Sequence, residues 1–367
     1  MKLVMKDRFK ITLGILAVSI TLGCGSSKVN SQASKKPKNI ILLIGDGMGL
    51  SQVSASYFYK DTTPNFERFN TIGLIKTSAA DALVCDSAAS ATAYATGVTT
   101  YNGAIAVDMQ KQPVATIIEK ITPKNISTGI ISTSSIVHAT PASFYAHESS
   151  RKSYDEIASY LPNSNIDFIA GGGKQFLDKN KREDKRDIFQ ELIDKGYSVE
   201  TKNLPKVASE KKQAIFLADD GMLKMLEGRG DFLPSATKIA LEKLSKNENG
   251  FFLMVEGAQI DWGGHSNEAE YLISELIDFD NTIGVALDFA ANNGETLVIV
   301  TADHETGGFT LAADGGNYNK IKPMFSTGGH SATMIPIFAE GPGQEDFGGI
   351  YKNTTLFQKM MNIFNKK

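Results

Sequence analysis

Asn39-Ile40-Ile41-Leu42-Leu43-Ile44-Gly45-Asp46-Gly47-Met48-Gly49 sets an apolar, β-branched run directly before a carboxylate flanked by glycines. The run reads as a β-strand and Asp46 as a residue just past its end. Gly129 to Ser132, Phe168 to Ala170, Ala214 to Leu217, Phe251 to Val255, Thr296 to Thr301 and Ile335 to Ala339 read as further strands. Between them Asp184 to Lys195, Leu233 to Lys246 and Glu268 to Asn292 carry helical period, the last with Leu272, Leu276, Ile277 and Phe279 on an apolar face. This alternation implies an α/β fold: a three-layer α/β/α sandwich whose central sheet is mostly parallel.

In such sheets ligands bind outside the carboxyl ends of the strands. Asp46, Glu256, Asp261, Asp303 and His304 all lie at or just past predicted strand ends, so they can converge although they are far apart in the chain. Three of the five histidines fall in Asp261-Trp262-Gly263-Gly264-His265, Asp303-His304-Glu305 and Thr327-Gly328-Gly329-His330. An imidazole and a carboxylate a few residues apart make a ready site for a divalent metal. The chain therefore reads as a metalloenzyme.

Competing motifs fail on their details. Gly45 to Gly49 lacks the third glycine of a dinucleotide loop, where Leu50 stands, and has no Gly-Lys-Ser/Thr ending. Gly171-Gly172-Gly173-Lys174 reads as a turn, and the charged Lys174 to Arg186 stretch as a solvated loop or helix entry. Ser87, in Asp86-Ser87-Ala88-Ala89-Ser90-Ala91-Thr92-Ala93, begins an Ala-rich helical stretch. Taken alone it is either a helix cap or a nucleophile activated by metal at a helix N-terminus. No Gly-x-Ser-x-Gly elbow surrounds it, which argues against a hydrolase triad. Arg151 offers a planar fork for phosphate oxygens, and His147 reads as a structural histidine.

The chain has 367 residues, 42% hydrophobic, enough for one large domain. Lys2, Lys6, Arg8 and Lys10 precede the apolar stretch Ile11 to Leu22, so residues 1–23 read as a secretory signal, too short for a comfortable span. Gly23-Cys24 resembles a bacterial lipoprotein box, with Thr21 and Leu22 fitting imperfectly; cleavage nearby without lipidation is the alternative. Residues 24–38 read as a flexible tether and 39–367 as a single catalytic domain. Removing the signal takes the formal net charge from -3 to about -6, and no basic face for nucleic acid is expected. A lipidated Cys24 would leave Cys85 as the one remaining thiol, so no internal disulfide could form.

Asn39 to Gly49, Asp86 to Tyr94, Ala139-Thr140-Pro141-Ala142 with Ser150-Arg151-Lys152, Val255-Glu256-Gly257-Ala258 with Asp261 and His265, and Thr301-Ala302-Asp303-His304 together resemble the bacterial alkaline phosphatase family in its motif order. The resemblance implies hydrolysis of phosphate monoesters with two Zn2+ and one Mg2+ per subunit. One zinc would take Asp261, His265 and His330; the other Asp46, Asp303 and His304; the magnesium Asp46, Thr140 and Glu256. Ser87 would be the nucleophile, passing through a phosphoserine, Arg151 the phosphate clamp, and Asp86 the carboxylate orienting it. His138 and Trp262 stand where aspartate and lysine are common, so they would border the substrate, weaken magnesium retention and speed phosphate release. The resemblance also implies a homodimer, while the N-terminal signal and Cys24 imply export to the periplasm or cell envelope, with the membrane touched only through a lipid at Cys24. A phosphodiesterase or phosphomutase on the same fold, and a binding protein with a dead site, are the rival readings; a sulfatase lacks its Cys/Ser-x-Pro-x-Arg segment.

Overall fold

A computed structural model describes residues 36–365. The signal, Cys24 and the tether up to residue 35 lie outside the described residues. Lys38 is already tied in, its N–H donating to the Glu295 carbonyl at 2.9 Å, one residue earlier than the sequence suggests.

The main sheet has ten strands: β1 (Asn39–Gly45), β2 (Thr71–Lys76), β3 (Ser127–Ser135), β4 (Phe168–Gly172), β5 (Tyr197–Glu200), β6 (Lys212–Phe216), β7 (Phe251–Gly257), β8 (Thr296–Thr301), β13 (Ile335–Glu340) and β14 (Gly349–Lys352). Their order is β14-β2-β13-β8-β1-β7-β3-β4-β6-β5. Every adjacent pair is parallel except the two made by β13, which runs antiparallel to both β8 and β2. The sheet is therefore mostly parallel, as the alternation of runs implies. β1, β7 and β8 are buried along their whole length, the pattern of central strands covered on both faces. Each fully buried Ile or Leu of β1 contributes roughly 1.5–3 kcal/mol.

Among the described residues ten α-helices flank the sheet: α1 (Leu50–Tyr59), α2 (Ser87–Thr96), α3 (Ile117–Ile121), α4 (Ala139–Ala142), α5 (Tyr154–Tyr160), α6 (Ile188–Asp194), α7 (Phe232–Leu244), α8 (Gln259–Ser266), α9 (Ala269–Asn293) and α10 (Asn353–Asn365). α1, α7 and α8 pack on α9, and α7 and α9 lie on the central strands; α2 packs with α3, α4 and α10. Outside the sheet, β9 (Glu305–Thr306) pairs with β12 (His330–Ser331), and β10 (Thr310–Asp314) with β11 (Asn317–Met324) in an exposed hairpin.

The stretch from Lys174 to Arg186 corrects its sequence reading in one respect. It is a loop, and Asp187 caps α6 by accepting from Gln190 N–H at 3.1 Å, so that helix starts later than Asp184. Arg182, however, is buried rather than solvated. Its guanidinium donates to Asp184 and to the carbonyls of Asp155 and Phe176. A buried guanidinium with its donors satisfied ties three segments together.

Candidate metal centre

The parallel register brings carboxylates to one end of the sheet. Ile44 of β1 pairs with Glu256 of β7 and with Thr301 of β8, so Asp46, Glu256 and Asp303 emerge side by side. Ser132 of β3 pairs with Glu256, and the chain after β3 delivers His138 and Thr140 to the same end. Asp261 and His265 stand one helical turn apart on α8. Gly47 permits the crowding: its φ is +72°, and a Cβ there would meet Asp261 Cα at 2.7 Å.

Three groups of donors result. Asp261, His265 and His330 form one; Asp46, Asp303 and His304 a second; Asp46, His138 and Glu256 a third. Within each group the ligand atoms lie within 4.8 Å of one another. Thr140 is buried beside the third. His138, expected to border the substrate and to weaken magnesium retention, lies among the donors of the third group and adds a nitrogen to a set expected to be all oxygen.

Hydrogen bonding supports cations at these groups. His265 Nδ1 faces the Gly328 carbonyl at 2.7 Å and His330 Nδ1 faces the Cys85 carbonyl at 2.9 Å. Each Nδ1 must therefore carry the proton, which leaves two Nε2 lone pairs facing each other 3.1 Å apart. Thr306 Oγ1 donates to Asp261 Oδ1 at 2.5 Å and so accepts from His304 Nδ1 at 3.2 Å, turning the His304 Nε2 lone pair towards Asp303 and Asp46. Asp303 Oδ1 accepts from the N–H groups of Gly47 and His304, while its Oδ2 has no hydrogen-bond partner. Both carboxylate oxygens of Asp46, Glu256 Oε1, Thr140 Oγ1 and His138 Nδ1 are likewise buried without a partner. Orphaned acceptors of this kind are costly unless a cation meets them.

Electrostatics agree. Burial, then the charges of Asp303, Asp261 and Glu256, push Asp46 well above the usual carboxylate range. Burial pushes Glu256 up to about 7, although Ser132 and Ser134 donate to its Oε2. Burial opposes charge on Asp303 too, but His304, when a proton rather than a cation occupies its Nε2, outweighs it and holds Asp303 below its ordinary value. Burial and then the neighbouring Arg151 depress His138 to about 3, keeping it neutral.

Ser87 opens α2 and is buried, with Asp86 as N-cap accepting from Ala89 N–H at 2.9 Å, so the cap and Ser87 are adjacent residues. Ser87 Oγ lies 3.2 Å from His304 Nε2. Arg151 Nη1 donates to Asp86 Oδ2 at 3.0 Å, and its Nη2 is 3.4 Å from His138 Nε2. Trp262 meets His138 edge-on, ring centroids 6.0 Å apart, and packs over Gly221. His147 lies between the Ala106 carbonyl at 2.9 Å and Glu119 at 3.0 Å, outside the donor groups. Sequence reasoning missed Ser132, Ser134 and Thr306, whose hydroxyls hold Glu256 and Asp261 from distant segments.

The family model for alkaline phosphatase matches residues 37–326. The chain is similar to alkaline phosphatase 4 of Bacillus subtilis, 37% identical over 94% of this chain and 77% of that one. It is also similar to the alkaline phosphatase of Escherichia coli, 32% identical over 90% of this chain and 87% of that one. The solved alkaline phosphatase of the Antarctic bacterium TAB5 superposes with a TM-score of 0.88 at 50% identity, covering 90% of this chain and 98% of that chain. A variant of that enzyme with a histidine replaced by aspartate is described with magnesium bound in its M3 site.

Proposed function

The chain belongs to the alkaline phosphatase family and is a metal-dependent hydrolase of phosphate monoesters, and from that premise we propose how its residues divide the work. Asp261, His265 and His330 would hold one zinc, Asp46, Asp303 and His304 a second, and Asp46, Glu256 and Thr140 a magnesium, with His138 against it. When bound, these ions supply Lewis acidity to the attacking and leaving oxygens of an in-line displacement. Ser87 Oγ attacks phosphorus; the P–O bond to the alcohol breaks on the opposite side, and the phosphoryl group stays on the serine. Arg151 grips two phosphoryl oxygens with its fork, held by Asp86. The α2 N-terminus favours the developing negative charge. Water then cleaves the phosphoserine, releasing inorganic phosphate and restoring Ser87. The observation that carries this reading is that three donor groups, two of them sharing Asp46, converge beside Ser87 and Arg151.

We extend the proposal to setting. Residues 1–23 would direct export to the periplasm or cell envelope, Cys24 would carry the lipid, residues 24–38 would act as the tether, and 39–367 would be the catalytic domain. Among the described residues no helix is long and apolar enough to cross a membrane. A homodimer is supported by α1, which exposes Leu50, Tyr57 and Phe58 along one face. The third group's imidazole supports weak magnesium retention, and Trp262 faster phosphate release than a lysine would give.

The test is phosphate release from a panel of mono- and diesters at alkaline pH, with and without chelator and with zinc and magnesium restored. Monoester turnover that chelator abolishes, and that falls by ~10³-fold or more in Ser87→Ala, is expected. Undiminished turnover in Ser87→Ala would sink the phosphoserine route.

A further inference from the structure

Glu305 follows a donor histidine in sequence yet points away from all three donor groups. It is 4% exposed, and among the described residues no lysine or arginine forms an ion pair with it. A buried carboxylate without a counter-charge is expensive, so its hydrogen bonds must hold it. Oε1 accepts from Gln52 Nε2 at 2.9 Å and from Phe309 N–H at 3.0 Å; Oε2 accepts from Ser331 Oγ. The stem also lies against the Asp46 turn, where a Cβ on Gly49 would meet Glu305 Cγ at 2.4 Å.

These contacts join segments that carry donors. Ser331 pairs with Glu305, and His330 with Thr306, in a ladder only two residues long on each side. Such a ladder is marginal by itself. His330 also follows the exposed β10–β11 hairpin; its ring contacts the Cys85 carbonyl and stacks on His304, and the Gly329 carbonyl before it accepts from Gly307 N–H at 2.9 Å, so the Ser331–Glu305 bond is the side-chain tie that fixes the strand from its far side. Gln52 fastens the other side, since Nε2 also donates to the Thr306 carbonyl at 2.9 Å.

We propose that Glu305 is a positioning residue: its hydrogen bonds to Ser331, Gln52 and Phe309 lock the His330-bearing strand onto the Glu305–Thr306 strand that follows His304, and so help set how tightly the Asp261–His265–His330 group retains its metal. The proposal rests on the reading of that group as a metal site. His304 is fixed in addition by the Asp303 carboxylate, which accepts from its N–H, so the His330 group is the one that loosens first.

The experiment follows metal released to a chromogenic chelator from the metal-loaded, full-length protein below its unfolding range. Glu305→Ala should lose its first equivalent ~10-fold faster or more, the range for removing a partner that orients a ligand. Glu305→Gln keeps the shape and the Oε1 acceptor and should release close to the wild-type rate. Ser331→Ala, which cuts one tether without emptying the carboxylate pocket, should also accelerate release. Leu192→Ala in α6, a buried residue far along the sheet, lowers stability without touching the network and should leave release unchanged. Equal release from Glu305→Ala and Leu192→Ala would overturn the positioning role, as would Glu305→Gln releasing as fast as Glu305→Ala. If His330→Ala holds as many equivalents as wild type, the metal-site reading itself has failed; an intact wild-type stoichiometry with equal release rates fails Glu305 alone.

Discussion

Arg151 and His138 touch, and each controls a different property. Arg151 spends one nitrogen on Asp86 and turns the rest of its fork inward. Arg151→Lys keeps the charge but loses the paired donors, so kcat/KM should fall on the order of 10- to 100-fold, the equivalent of one charge-assisted hydrogen bond. Steady-state kinetics on a simple monoester checks this, and a loss under two-fold would remove the clamp role. His138→Asp exchanges a neutral nitrogen donor for a hard oxygen one beside Asp46 and Glu256, so magnesium left after dialysis should rise on the order of ten-fold. Metal analysis of dialysed protein decides it. Asp46, Glu256, Asp303 and His304 were legible as candidates because each stands at or just past the end of an apolar strand, and His265 and His330 because each follows a short glycine-containing motif. The hydroxyls that orient them were not: Ser132 meets Glu256 and Thr306 meets Asp261 only after the sheet is assembled, and no spacing announces those contacts.

Among elements, the short helix α3 depends on a pair that the sequence left without a role. Thr116 and Glu119 form its capping box, and Glu119 also receives His147 from the segment that bridges Ile105 with Glu148. Burial opposes a charge on His147, but Glu119 and the Ala106 carbonyl raise it above its ordinary 6.5. Burial opposes the charge on Glu119 as well, yet His147 and Thr116 hold it below 4.5. A raised histidine contributes stability that is complete below its unfolded value and lost as pH rises through the folded one. A lowered carboxylate contributes stability that is complete above its unfolded value and lost as pH falls through the folded one. Both contributions therefore coincide between 4.5 and 6.5. With Glu119 partly exposed, His147→Gln should cost about 0.5–1 kcal/mol near pH 6 and much less at pH 8.5. Denaturant melts of the two proteins at both pH values test this, and a difference independent of pH would rule out the ion pair.

The same distinction between buried and exposed elements explains which parts of the fold could be read. β1, β7 and β8 are continuous apolar runs because helices cover both faces, and their sequences say so. β2, β5 and β14 alternate or lie partly exposed, the β10–β11 hairpin is largely solvated, and α1 shows apolar residues to the outside. These are too short or too mixed in polarity to show the sustained apolar run or regular period on which a strand or helix is recognised.

For the whole molecule, the buried carboxylates connect metal binding to folding. Asp46, Glu256, Asp261 and Asp303 crowd one end of the sheet, and burial, then repulsion from neighbouring carboxylates, raises Asp46 and Glu256, Glu256 to about 7. For a carboxylate raised on folding, the folded form binds more protons than the unfolded one between the two values. Its contribution to stability is complete below the unfolded value and lost as pH rises through the folded one. Protein stripped of metal should therefore weaken between about pH 4.5 and 7, by a few kcal/mol in total. Loaded protein gains stability by mass action instead, because its cations bind the folded chain alone and favour the ionised carboxylates. The gap in thermal midpoint between loaded and stripped protein should accordingly widen from pH 5.5 to pH 8. Calorimetry at the two pH values, with and without chelator, measures that gap; a gap that stays constant or narrows would mean that these carboxylates do not set the link between metal and fold.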